Sequence, residues 1–189
     1  MAQRVNRPER PRRAPRPLDP AALSELALGY AARFATTAAK LERYLTRKLR
    51  ERGWDGDQPP DTAAITERLV ALGFVDDAAF AEARTRSLLR RGYGERRIGQ
   101  ALAEAGIGRE ERARLRPGEV PARAAALALA RKRRLGPFGP APADRAGREK
   151  QLAAMLRAGH RLDSAREMVD APTIAAAEQW AAGADDDES

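Results

Sequence analysis

The chain is 189 residues long, 43% apolar and 33% charged, with a formal net charge of +8 and no cysteine. That length and apolar content suit one domain or a short array of modules with a real core, so extensive disorder is excluded. The lack of cysteine removes disulfides, zinc–thiolate sites and thiol nucleophiles and agrees with a reducing compartment. No window approaches the roughly 18 continuous apolar residues of a membrane span, and a soluble, cytoplasmic protein is expected.

Residues 1–20, MAQRVNRPERPRRAPRPLDP, hold six arginines against Glu9 and Asp19, with prolines at 8, 11, 15, 17 and 20. Proline removes a backbone donor and blocks a helix, and no apolar stretch here can act as a secretory signal. The segment reads as a disordered basic arm. Residues 183–189 read as an acidic tail holding Asp185, Asp186, Asp187 and Glu188, which cancels the arm. The body between them therefore keeps the +8, and a basic body suggests an acidic partner, nucleic acid being the commonest.

A first unit spans 21–74. PAALSELALGYAARFA places Leu23, Leu26, Ala27, Tyr30 and Phe34 on one helical face, LTRKLRERGW continues as a second helix, and Asp61 can cap TAAITERLVALGF with Ile65, Leu69 and Leu72 inward. A second unit spans 75–119. Asp76 is a good N-cap for DAAFAEARTRSLLRR, with Phe80, Ala83, Ser87 and Leu88 along a stripe; GYG then breaks the chain before Glu95, and a short helix at about 109–116 ends at Pro117. A third unit, 120–182, has a helix in PARAAALALARKRR, a proline–glycine loop at 135–143, and further helix in RAGREKQLAAMLRAGHRLDSAREMVDA.

These units share a punctuation. LTRKLRERGW, IGQALAEAGI and QLAAMLRAGH each end in a glycine and a bulky residue, and Gly53, Gly106 and Gly159 are 53 residues apart both times. Leu49, Leu102 and Met155 stand four residues earlier, on the face of an amphipathic helix that glycine terminates. Eight or nine helices in three triplets, with no convincing strand, predict an all-α fold: three tandem three-helix repeats in an elongated, right-handed or curved array.

Phosphate-binding loops, nucleophile elbows and zinc-protease motifs are absent from the sequence, and no catalytic residue, cofactor or metal is expected. His160 stands where Trp54 and Ile107 stand in the other units, which favours a structural or surface role. Asp76 and Asp77 are explained by capping and the helix dipole without an ion. Tyr93, between two glycines, closes the turn as a core residue or stacks on a partner; the turn reading is favoured.

Charge is the strongest functional signal. Six basic residues lie from Lys40 to Arg52, six arginines from Arg84 to Arg97, and four basic residues from Arg131 to Arg134. Any one of them alone fits a solvated face, but three clusters at related places suggest a binding surface. Arg86, Arg90 and Arg97 in particular can present a fork of guanidinium groups to phosphates or carboxylates.

The run LGFVDDAAFAEARTRSLLRRGYGERRIGQALAEAGI, residues 72–107, resembles the central signature of the RecX regulatory proteins. The likeness lies in Gly73–Phe74, Asp76–Asp77, Phe80–Ala81 and the arginine–glycine–Tyr93–Gly94 turn before an arginine-rich helix, and it extends over residues 23 to about 180. It implies a non-catalytic monomer that binds the RecA recombinase filament along its groove and restrains its ATPase, strand exchange and coprotease activity in DNA repair and recombination. Single- and double-stranded DNA are further candidate partners, and a general DNA-binding protein is the alternative reading. The likeness carries over Arg90, Arg91, Tyr93, Arg96 and Arg97; their contact with the partner is inferred from charge. Candidate binding residues are these with Arg84 and Arg86, Lys40, Arg43, Arg47 and Lys48 in the first unit, and Arg131, Lys132 and Arg133 in the third.

Overall fold

The computed structural model describes residues 16–140 and 144–183, which form ten α-helices, one 3-10 turn at Gly136–Phe138 and an isolated bridge between Leu18 and Trp54. The first module comprises α1 (Pro20–Arg33), α2 (Ala38–Arg52) and α3 (Thr62–Ala71). Each starts where a side-chain oxygen can take an orphan N–H. Asp19 accepts from Ala22 at 2.7 Å, Thr37 from Lys40 at 3.2 Å and Asp61 from Ala64 at 2.9 Å.

The buried face of this module holds Leu23, Ala27, Leu41, Leu45 and Leu69. Phe34 and Leu72, expected inward, are 55% and 60% exposed, because both stand just past a helix end where the 3.6-residue period no longer holds. The basic arm also ends earlier than its composition suggested. Leu18 is fully buried, its N–H donates to the Gly53 carbonyl at 3.0 Å, and its carbonyl accepts from the Asp55 N–H at 2.8 Å. Pro20 opens α1, where a missing N–H is harmless. Residues 1–15 of the arm, residues 141–143 of the connector and residues 184–189 of the tail lie outside the described residues.

The second module comprises α4 (Asp77–Arg90), α5 (Glu95–Glu104) and α6 (Arg109–Arg114). Asp76 caps α4 as the sequence predicts, accepting from the Ala79 N–H at 2.8 Å. The buried stripe of α4 is Ala81, Thr85 and Leu88; Phe80 sits at its edge, and Ala83 is exposed. The third module comprises α7 (Glu119–Arg133), α8 (Arg145–Arg157), α9 (Leu162–Asp170) and a further helix, α10 (Ile174–Ala182), beyond the three expected. Helix α10 is capped by Thr173 and closes the module by packing on α7, where the buried Arg123 lies against Trp180. Each module has its own apolar cluster.

Neighbouring modules meet through their second helices, end to start. The N-terminus of α2 abuts the C-terminus of α5: the Thr37 hydroxyl donates to the Ala105 carbonyl at 2.5 Å and the Arg43 guanidinium to the Glu104 carbonyl at 2.8 Å. Asp77 reaches across and accepts from the Ala38 N–H at 2.8 Å, so the acidic pair caps two helices in two modules. The N-terminus of α5 meets the C-terminus of α8 in the same way. The Gly94 N–H donates to Ala158 at 3.0 Å, the Arg96 N–H to Gly159 at 3.2 Å, and the Arg96 guanidinium to Leu156 at 2.6 Å. Both joints set the positive end of one helix dipole against the negative end of the next.

Gly106 and Gly159 of the 53-residue period therefore mark the joints as well as the helix ends, whereas Gly53 meets Leu18 of its own module. Gly159 has φ +95°, and a Cβ there would lie 2.4 Å from the Arg97 backbone nitrogen. Helix α7 ends differently: Arg134 takes the left-handed conformation at φ 54° while the Leu135 N–H closes onto the Ala130 carbonyl at 2.9 Å. A side chain in that conformation costs about 1 kcal/mol. Arg134→Gly is therefore expected to stabilise the chain by roughly that amount in urea unfolding; a lower midpoint would show that the arginine contributes more than its backbone costs.

Candidate interaction surface

The structure merges two of the clusters that are separate in sequence. The first turn of α2 reaches the N-terminal half of α4, and Lys40 is flanked by Arg43 and Arg84. Burial, reinforced by repulsion from these two arginines, holds the Lys40 ammonium below the usual lysine range. It stands 4.3 Å over the Phe80 ring, which is why Phe80 stays at the edge of the core. Further along α2, Tyr44 stacks on Tyr30 of α1 at 4.2 Å and lies beneath the Arg47 and Lys48 heads, both of which also reach Glu51.

Two members of the expected fork have partners on their own helices. Arg86 is 3.2 Å from Glu82 on its own helix, Arg97 donates to Gln100 at 2.9 Å, and Arg96 is committed to the α8 carbonyls. Arg43 is likewise committed to Glu104, so two predicted binding residues hold modules together. Arg91 lies 5.4 Å over the half-buried Tyr93 ring, and Tyr93 packs against the apolar clusters of both the second and third modules. This is the turn reading of Tyr93. In the third cluster Arg131 pairs with Glu178 of α10. Among the described residues Arg90, Lys132 and Arg133 are exposed without an ion pair, each in the last turn of the first helix of its module, where the dipole favours cations.

His160 is buried in the joint between the second and third modules, and its Nε2 lies 3.0 Å from the Gly92 carbonyl. A carbonyl only accepts, so Nε2 carries the proton. Burial holds the imidazole below its usual pKa, with the Gly92 bond acting weakly the other way.

One feature escaped the sequence reading. Helices α5 and α6 and the α8–α9 turn enclose a cleft of about 910 Å³, rimmed by Arg109, Arg112, Arg116 and Arg161. Arg116 reaches Glu95 at 3.3 Å, and Arg161 is 3.7 Å from Asp163. Arg109 and Arg112 share one face of α6 and Arg116 follows two residues past its end, a spacing visible in REERARLR, but their partner Arg161 comes from another module. Among the described residues no cluster of three or more metal-ligating side chains occurs, and no helix is long and apolar enough to cross a membrane.

Modules of three or four helices joined end to start, with a basic surface and an arginine-rimmed cleft between two of them, define an all-α tandem-repeat protein. A family model for the second three-helix domain of RecX matches residues 76–114. The chain is 35% identical over 171 residues to the regulatory protein RecX of Myxococcus xanthus, covering 86% of this chain and 91% of that one. It is 34% identical over 147 residues to RecX of Halorhodospira halophila, covering 77% and 87%. The crystal structure of RecX from Lactobacillus salivarius shares the fold, with a TM-score of 0.60 at 19% identity over 77% of this chain and 90% of that one. The chain belongs to the RecX family of regulatory proteins.

Proposed function

We propose that this chain is a non-catalytic regulator that binds the RecA recombinase filament and restrains its ATPase, strand-exchange and coprotease activities. Membership in a family of regulatory proteins carries the reading. It is supported by the exposed, unpaired cations Arg90, Lys132 and Arg133, which stand on successive modules of a chain with net charge +8. Successive modules present such cations, which suits an acidic partner surface that itself repeats.

The test is single-stranded-DNA-dependent ATP hydrolysis by the cognate recombinase with DNA in excess, titrated with this chain. Substoichiometric inhibition is expected. Arg90→Ala combined with Lys132→Ala and Arg133→Ala should raise the half-inhibitory concentration about tenfold, or roughly 1.4 kcal/mol, with an unchanged melting temperature. Equal inhibition by the triple variant would remove these residues from the interface.

DNA binding has an observation of its own. The exposed Phe34 and Phe74 line, with Arg84, a hollow of about 440 Å³ in which a base can stack. Contact with about six phosphates would give a log–log salt slope of about −5. Inhibition that persists in high salt favours protein contact instead.

A further inference from the structure

The cleft between α5, α6 and the α8–α9 turn has an aliphatic floor that includes Leu102, Leu115, Leu156 and Leu162, the last 41% exposed. Among the described residues the Arg109 and Arg112 side chains make no hydrogen bond or ion pair, although Arg112 is half-buried. A partly desolvated cation without a partner is unfavourable, and a carboxylate brought into the cleft relieves it.

Gly99 points the same way. It lies inside α5 on the cleft wall, and nothing stands within 4 Å of where its Cβ would be. Glycine inside a helix is less stable than alanine, so the chain's own packing gives no reason for it. A segment lying closely along α5 does.

We propose that this cleft docks an acidic, amphipathic segment of a protein partner, with its aliphatic side chains on the leucine floor and its carboxylates at Arg109, Arg112 and Arg161. Nucleic acid fits poorly: the one aromatic ring in the lining, His160, is 6% exposed and held by the Gly92 carbonyl, so it offers no face to a base, and aliphatic side chains would desolvate phosphates without replacing their hydrogen bonds. The reading of the chain as a recombinase regulator supplies the first probe, the assembled filament.

The experiment compares the full chain with Gly99→Gln and with Arg109→Glu/Arg112→Glu, measuring binding to preassembled recombinase filament and, separately, to a labelled DNA oligonucleotide. Gly99→Gln is expected to raise the melting temperature, since glutamine is a better helix former, and to weaken filament binding at least about tenfold. Lost binding in a more stable variant cannot be a folding defect. The charge-reversal pair should weaken filament binding similarly, with DNA affinity changed less than about twofold.

Unchanged filament binding in both variants overturns the proposal. So does a parallel loss of DNA affinity, which would assign the cleft to phosphate. Removal of residues 184–189 should leave filament binding unchanged; a large gain would make the chain's own acidic tail the occupant and overturn the proposal as well. If the wild-type chain does not bind the filament at all, the functional reading fails separately. The cleft is then judged with a synthetic helical peptide of about five turns carrying leucine and glutamate on opposite faces. Binding lost in Gly99→Gln supports the proposal, and no binding overturns it.

Discussion

Gly159→Ala is expected to detach the third module from the second while leaving the first intact. The new Cβ would stand 2.4 Å from the Arg97 backbone nitrogen, and the residue would be held at φ +95°, a conformation L side chains rarely adopt. Backbone strain and overpacking against backbone, which cannot swing aside as a side chain can, together destabilise by about 3 kcal/mol. Gly94→Ala should act alike from the other side of the joint, since its Cβ would lie 2.4 Å from the Gly159 carbonyl carbon, although its own φ is ordinary. The chain has two tryptophans, Trp54 in the first module and Trp180 in the third, so each end reports separately. In urea, Trp180 fluorescence followed in a Trp54→Phe background should shift to a much lower midpoint, while Trp54 followed in Trp180→Phe stays near the wild-type value. Coincident transitions at the wild-type midpoint would show that the joint yields without cost.

The same glycines explain what the sequence discloses. A helix that ends in a left-handed residue followed by a buried bulky one favours glycine at a fixed offset from its last core residue, although α7 does so with Arg134, so the ends of α5 and α8 are legible without any knowledge of packing. Asp76 is legible for the same local reason, because its oxygen meets an N–H three residues ahead. Asp77 is not, since the N–H it caps is Ala38 in another module. Arginine is the extreme case. Arg43 and Arg96 differ from Arg90 only in finding a helix-terminal carbonyl about 60 residues away, at Glu104 and Leu156, and composition cannot distinguish a cation that closes a joint from one that faces solvent. The arginine-rimmed cleft was hidden likewise, because its two walls belong to different modules. Leu18 went unread because a proline-rich neighbourhood forbids helix but leaves extended pairing open, and one leucine in such a run carries no period.

Acid should loosen the joint that Gly159 closes. His160 is 6% exposed and donates from Nε2 to the Gly92 carbonyl, while Glu95, Arg96 and Arg161 line the cleft beside it. Burial holds its folded-state pKa below the ordinary 6.5 that the unfolded chain recovers. The unfolded state therefore binds the proton more tightly. The stabilisation is fully present above about pH 6.5 and is lost as pH falls through the folded-state pKa. The Trp180 urea midpoint should accordingly be flat from about pH 8 to 6.5 and fall below it. His160→Gln keeps an N–H for Gly92 without a titrating group and should flatten the acid limb; an unaltered limb would assign the effect to carboxylates elsewhere. His160→Ala leaves the buried Gly92 carbonyl without its donor and opens a cavity, so it should cost about 3 kcal/mol at every pH and move Trp180 far more than Trp54.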